Sequence, residues 1–207
     1  MKRIIMVAGL PSGGTSVVAG ILHHLGVDMG RVRSDEETLA AARTLKSARH
    51  YRGYECTVLA KMFSTSSPYR VVREYVQRRR ERPAGFKSNL CVLLGNSLDP
   101  IETLPISVLH VTRDLQDTFE SDIKYTGNDT DRAQLRGLLH LGLTRLVERI
   151  PPTLTLSYEE ILRDRYGTVT SIIRAFGLSA SADTVDQAAQ FIDPENGGAI
   201  AELLEIA

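Results

Sequence analysis

The chain has 207 residues, of which 43% are hydrophobic and 24% are charged. This length and composition predict one globular domain with a sizeable core. Lys plus Arg and Asp plus Glu both number 25, so the formal net charge is zero. Because binding to nucleic acid depends on clustered excess cations, the charge balance argues against a nucleic-acid-binding protein.

The cysteines and the first residues bear on the cellular compartment. Cys56 and Cys91 lie outside any CxxC pattern, which favours reduced thiols in a cytoplasmic protein over a disulfide or a zinc site. The N-terminal apolar run is brief and breaks at Pro11, so it predicts a first core strand rather than a secretory leader. The sequence has no run of about 18 apolar residues, and no membrane span is predicted.

Four segments have the pattern of short strands. Residues 3–9 and 106–112 are nearly continuous apolar runs, typical of parallel strands that are covered on both faces. Residues 153–158 follow the helix-stopping sequence IPPT, and a weaker strand is expected at 84–88.

The segments between these strands have helical periodicity. Residues 15–25 carry one apolar stripe that ends at Gly26, and residues 131–149 have a similar pattern. Further helices are expected after Tyr158 and over 169–176. Alternating strands and helices predict a three-layer α/β/α fold with a central parallel sheet.

The domain organisation follows from the same pattern. We expect a single domain over residues 1–207 with a helical or lid insertion at 27–82. The first half of that insertion, residues 27–52, is polar and charged, which favours a covering loop. A short terminal helix is expected at 193–207.

The turn between the first strand and the first helix has the features of a phosphate-binding loop. It reads GLPSGGTS over residues 9–16. A helix N-terminus offers unpaired amides and a partial positive charge, so such a loop can hold an anion through its backbone. Thr15 stands where nucleoside-triphosphate loops carry a lysine, which disfavours a magnesium-triphosphate site. The alternative is a turn that needs its glycines only for geometry.

These residues resemble the opening of sulfotransferases that use 3′-phosphoadenosine 5′-phosphosulfate (PAPS), whose loop reads like G-x-P-[RK]-S-G-T-[ST]. The matching positions are Gly9, Pro11, Gly14, Thr15 and Ser16. Ser12 replaces an Arg or Lys that neutralises charge on the leaving 5′-phosphate, and Gly13 replaces a serine. The resemblance implies a P-loop-like sulfotransferase fold. It also implies that residues 11–16 bind the 5′ end of PAPS, with Ser12 also at a catalytic position.

A second element, residues 109–121, resembles the 3′-phosphate site of that family. It reads LHVTRDLQDTFES, in which Arg113 and Ser121 match the spacing of the family's Arg and Ser. An Arg at the end of a strand offers a planar fork to phosphate. The alternative is that Arg113 is a structural partner of the nearby acids Asp114 and Asp117.

Three more stretches extend the resemblance over most of the chain. Residues 52–63 are similar to a G-Y-x-E segment of bacterial sulfotransferases, with one residue fewer before the Glu. Residues 83–94 are similar to a G-x-K-x-P strand, although Asn89 replaces the proline. Residues 154–178 resemble a strand and helix that usually read Y-E-D-L.

The resemblance implies an enzyme that moves a sulfuryl group from PAPS to an acceptor hydroxyl or amine without a metal. Glu55 is the first candidate for the general base, against the alternative of a helix N-terminal acid. Lys87 is the candidate to restore the cation missing at position 12, against the alternative of an ordinary exposed lysine. Further candidates for the base are Glu36, Glu37 and His50, and further candidates for the cation are Arg31 and Arg33.

Two other functions remain open from the sequence. One is a P-loop nucleotide or small-molecule kinase, which would need magnesium and ATP. The other is a catalytically inactive relative that binds adenosine 3′,5′-bisphosphate (PAP) or another nucleotide, because the loop has lost its cation. The acceptor is expected to be a small molecule or a carbohydrate, and the sequence does not define the oligomeric state.

Overall fold

The computed structural model describes residues 4–30, 67–78, 83–126 and 130–192. Its centre is a parallel four-stranded sheet in the order β2-β1-β3-β4. The strands are β1 (Ile4–Ala8), β2 (Gly85–Lys87), β3 (Ile106–Thr112) and β4 (Leu154–Ser157). All four strands were predicted, β1 and β3 from their apolar runs, and the structure confirms them.

Helices flank the sheet. The α-helices are α1 (Thr15–His24), α2 (Pro68–Arg78), α3 (Leu115–Thr126), α4 (Thr130–Arg149), α5 (Tyr158–Arg163), α6 (Arg165–Phe176) and α7 (Ala182–Gln190). Two 3₁₀ segments, Asn89–Asn96 and Ile101–Thr103, connect β2 to β3. The helices expected at 15–25, 131–149 and 169–176 are therefore confirmed, as is the one after β4.

The two faces of the sheet carry separate apolar layers. Every residue of β1 is buried, and because side chains alternate along a strand, neighbouring residues face opposite layers. Met6 lies in the layer with α2 and α4, whereas Val7 lies in the layer with α1, α6 and α7. The predicted three-layer α/β/α fold with a central parallel sheet is confirmed.

Parts of the segment expected to form an insertion lie in the core. Val27 and Met29 are buried, and Asp28 forms a parallel bridge with Ala84 beside β2. Helix α2 buries Val71, Val72, Tyr75 and Val76. Residues 31–66, and the terminal helix expected at 193–207, lie outside the described residues.

Three elements were not predicted: the 3₁₀ segments Asn89–Asn96 and Ile101–Thr103, and the helix α7. The first 3₁₀ segment packs closely on α4, where Gly95 faces Gly142 and a Cβ on either residue would meet backbone atoms. Local periodicity does not indicate such a tertiary contact. None of the helices in the described part of the chain is both long and apolar enough to cross a bilayer.

Candidate anion-binding site

The predicted site lies where the strands of the sheet end. Because the strands are parallel, their carboxyl ends meet at one edge, which is where open α/β sheets bind ligands. β1 leads into the loop 9–14 and β2 ends on Lys87. β3 is followed by Arg113, and β4 is followed by Tyr158.

The loop that precedes α1 has two residues in the left-handed backbone region. Gly14 has φ 89° and stands at the N-cap of α1 without a side-chain cap. Ser12 has φ 62°, which only a minority of residues with a side chain adopt. Backbone strain of this kind costs free energy and is concentrated at ligand-binding and active sites.

The amides at the start of α1 are available to a ligand. Among the described residues, none accepts a hydrogen bond from the amides of Gly14, Thr15 or Ser16. The first turn of α1 contains no acidic side chain that would compete with an anion. A helix N-terminus with unpaired amides and no acidic residue in its first turn favours a negatively charged ligand.

Gly9 allows the loop to pass close to β3. A Cβ at this position would lie 2.6 Å from Cγ2 of Thr15 and 2.8 Å from the carbonyl oxygen of Val111. Thr15 is itself buried. A side chain at position 9 would therefore push the loop away from the neighbouring strand.

Arg113 contacts the loop directly. Its Nη1 donates a hydrogen bond to the carbonyl oxygen of Ser12 at 2.9 Å. Its Nε is buried and, among the described residues, has no acceptor. The loop and the Arg113 element are thus neighbours, although about half of the chain separates them in sequence.

The alternative role for Arg113, as a partner of nearby acids, has no support in the structure. Oδ1 of Asp114 accepts a hydrogen bond from the amide of Asp117 at 3.0 Å, which caps the start of α3. Within the part of the chain that the structure describes, Arg113 forms no ion pair. Its guanidinium charge is therefore not neutralised by a carboxylate of these residues.

Lys87 is buried, with 1% of its surface exposed. The alternative of an ordinary exposed lysine is therefore wrong. Lys87 is paired in register with Val7 of β1, two residues before the loop begins. A buried lysine is rare and needs polar partners, and its position beside the loop keeps it a candidate for the missing cation.

The structure says less about the remaining predicted site residues. Ser121 lies in α3, the helix that follows Arg113, and is partly exposed. Pro11 and Gly13 complete the loop, where the amide of Gly13 donates to the carbonyl of Leu10 at 3.0 Å. The other candidates, Glu55, Glu36, Glu37, His50, Arg31 and Arg33, lie outside the described residues.

Tyr158 was not among the predicted site residues. Its ring centroid lies 5.0 Å from Cζ of Arg113, and a Cβ added to Gly14 would collide with the same ring. The available signal was an aromatic residue directly after the fourth strand, at the edge that carries the other site residues.

Comparison with known proteins places this geometry in a known fold. No protein-family model matches the sequence, and no curated protein has a significant match. The solved structure of sulfotransferase STF1 from Mycobacterium tuberculosis aligns with a TM-score of 0.57 at 18% identity, over 99% of this chain and 76% of that one. The chain has the sulfotransferase fold.

Two further structures show the same sulfotransferase fold. The sulfotransferase domain of the Synechococcus PCC 7002 olefin synthase aligns with a TM-score of 0.52 at 15% identity, over 99% of this chain and 84% of that one. Retinol dehydratase in a complex with retinol and PAP aligns with a TM-score of 0.50 at 13% identity, over 100% and 71%.

Proposed function

We propose that this protein transfers a sulfuryl group from PAPS to an acceptor hydroxyl or amine. The observation that carries the proposal is the hydrogen bond between Arg113 and the Ser12 carbonyl. It brings the two elements that resemble the 5′ and 3′ sites of sulfotransferases to one edge of the sheet. In a chain with the sulfotransferase fold, one nucleotide can then contact both elements.

The proposed binding mode divides the nucleotide between them. The amides at the start of α1 and the hydroxyls of Thr15 and Ser16 bind the 5′-phosphosulfate. The guanidinium of Arg113 binds the 3′-phosphate, and Ser121 of α3 adds a hydroxyl.

The proposed reaction is an in-line displacement at sulfur. The acceptor oxygen or nitrogen forms a bond to sulfur while the bond from sulfur to the bridging 5′-phosphate oxygen breaks, which leaves PAP. The acceptor proton passes to a general base, for which Glu55 is the candidate. Because a sulfuryl group carries less charge than a phosphoryl group, we propose that positioned donors suffice without a metal.

Lys87 is the proposed source of positive charge at the leaving phosphate. Position 12 holds a serine, so the loop lacks the cation that the resemblance leads one to expect. Lys87 belongs to the strand beside the loop and is buried. A buried cation acts at lower effective dielectric than one in water and therefore stabilises developing charge more strongly.

The serine at position 12 also favours a second candidate function. Without a cation near the 5′-phosphate, the same fold would bind PAP and not accelerate transfer. For the active enzyme, the proposed acceptor is a small molecule or a carbohydrate. Retinol dehydratase, with retinol and PAP bound, supports the small-molecule choice. The proposed location is the cytoplasm, because the sequence favours reduced thiols.

Calorimetry tests the nucleotide part of the proposal. We expect PAP to bind in the presence of EDTA, more tightly than ATP with magnesium, and to bind more weakly to Arg113→Ala. Arg174→Ala is the matched control, because Arg174 is an exposed residue in the last turn of α6. Preference for ATP with magnesium would contradict the proposal in favour of a kinase.

Transfer of radiolabelled sulfate from PAPS to a panel of phenols, alcohols, amines and sugars tests the reaction. Turnover that Arg113→Ala reduces supports the enzyme. PAP binding without turnover on any acceptor would favour the inactive nucleotide-binding protein.

A further inference from the structure

Tyr158 stands at a fixed point on the edge of the sheet. It is the first residue of α5, directly after β4. The Ser157 side chain accepts a hydrogen bond from the Glu160 amide at 3.1 Å, and the Glu160 carboxylate accepts one from the Ser157 amide at 3.4 Å. This capping box fixes the backbone on which Tyr158 is mounted.

The ring of Tyr158 contacts both halves of the proposed site. One contact is with the guanidinium of Arg113, whose Cζ lies 5.0 Å from the ring centroid, within the range of a cation–π interaction. The other is with Gly14, where the ring occupies the space that a Cβ would need. The ring therefore lies against the loop and the arginine at once.

The ring of Tyr158 adds to the few polar contacts that Arg113 makes with the described residues. Among the described residues, its guanidinium has one hydrogen bond, to the Ser12 carbonyl. A single hydrogen bond leaves a planar group free to rotate about it. Stacking on an aromatic face removes that freedom and uses none of the five guanidinium donors.

We propose that Tyr158 is a positioning residue that holds the Arg113 guanidinium against the loop, ready for the phosphate. A carboxylate partner would also fix the arginine, but it would neutralise the charge and occupy the donors that phosphate needs. The aromatic ring holds the group and leaves its charge and its donors to the ligand. This inference rests on the proposed function, which assigns the 3′-phosphate to Arg113.

The experiment compares PAP with adenosine 5′-monophosphate, which lacks the 3′-phosphate. In Tyr158→Leu we expect the Kd for PAP to rise about tenfold while the Kd for the monophosphate changes little. Tyr158→Phe keeps the ring, so it should retain the wild-type ratio of the two affinities. Tyr166→Leu is the matched control, because Tyr166 is 52% exposed on α6. If Tyr158→Leu does not fold, Tyr158→Met replaces it.

A merely structural role for Tyr158 gives a different result. Equal weakening of both nucleotides in Tyr158→Leu, or a Tyr158→Phe variant as weak as Tyr158→Leu, would overturn the inference. Adding Tyr158→Leu to Arg113→Ala should weaken PAP binding little further. If Tyr158→Leu lowers the PAP affinity as much in Arg113→Ala as it does in the wild type, the inference is also overturned.

A ligand-free measurement separates this inference from the proposed function. If the wild type binds neither nucleotide, the proposed function fails. Urea unfolding then gives the free energies of unfolding of the wild type, the two single variants Arg113→Ala and Tyr158→Leu, and the double variant. Non-additive free energies of unfolding for Arg113→Ala and Tyr158→Leu would support the contact between the two side chains. Additive values would overturn it.

Discussion

Replacement of Gly14 by alanine tests the loop geometry through protein stability. Two separate costs arise at this position. Gly14 has φ 89°, and a residue with a Cβ in the left-handed region costs about 1–2 kcal/mol. The new Cβ would also collide with the ring of Tyr158, and overpacking of this kind typically costs about 1–3 kcal/mol. We therefore expect Gly14→Ala to lower the free energy of unfolding by about 2–5 kcal/mol.

Gly26 provides a matched control within the same structural unit. It follows the other end of α1, has φ 80°, and an added Cβ would have no atom within 4 Å. Gly26→Ala should therefore lower the free energy of unfolding only by the cost of a side chain in the left-handed backbone region, about 1–2 kcal/mol. The difference between the two variants measures the contact between Gly14 and Tyr158.

Urea unfolding followed by circular dichroism gives both free energies, provided that the denaturant slope stays constant. A third comparison separates the collision with the Tyr158 ring from the backbone cost at Gly14. In a Tyr158→Ala background, Gly14→Ala should cost no more than Gly26→Ala does in the wild type. Equal costs for Gly14→Ala and Gly26→Ala in the wild type would refute the placement of Tyr158 over the loop.

Three further predictions concern charge and protonation. Arg113→Lys keeps the charge and loses the planar fork, so calorimetry should show PAP affinity about tenfold lower; an unchanged Kd would exclude phosphate binding through the fork. Lys87→Met removes the buried cation, so kcat should fall about 10²–10³-fold in sulfate transfer assays, and an unchanged kcat would remove Lys87 from the mechanism. Burial lowers the pKa of His110, and burial together with His23 lowers the pKa of His24. The unfolded chain then binds more protons below its ordinary histidine pKa of about 6.5, so the free energy of unfolding should fall as the pH drops through that value. Urea melts at about pH 7.5 and about pH 5.5 measure the fall, which should be smaller in His110→Gln; an equal fall in that variant would contradict the assignment.

The sheet could be predicted from the sequence because its signals are local. β1 and β3 are nearly continuous apolar runs with clear boundaries, and parallel strands with intervening helices leave few topologies. The loop was visible for the same reason, since the residues that shape it are consecutive from Gly9 to Ser16.

The role of Tyr158 could not be predicted because it depends on contacts between distant segments. The position of Tyr158 directly after β4 places it at the edge of the sheet that carries the site. The sequence does not indicate that the ring would lie on Gly14 and Arg113. The burial of Lys87 was missed for a related reason. A three-residue strand gives too short a pattern to show which of its side chains the neighbouring elements cover.

The most direct test of the account is a crystal structure of the protein with PAP bound. The account predicts the 5′-phosphate against the amides of Gly14, Thr15 and Ser16 and the 3′-phosphate within hydrogen-bond distance of the Arg113 guanidinium. PAP bound away from this edge of the sheet, or a 3′-phosphate that does not touch Arg113, would contradict it.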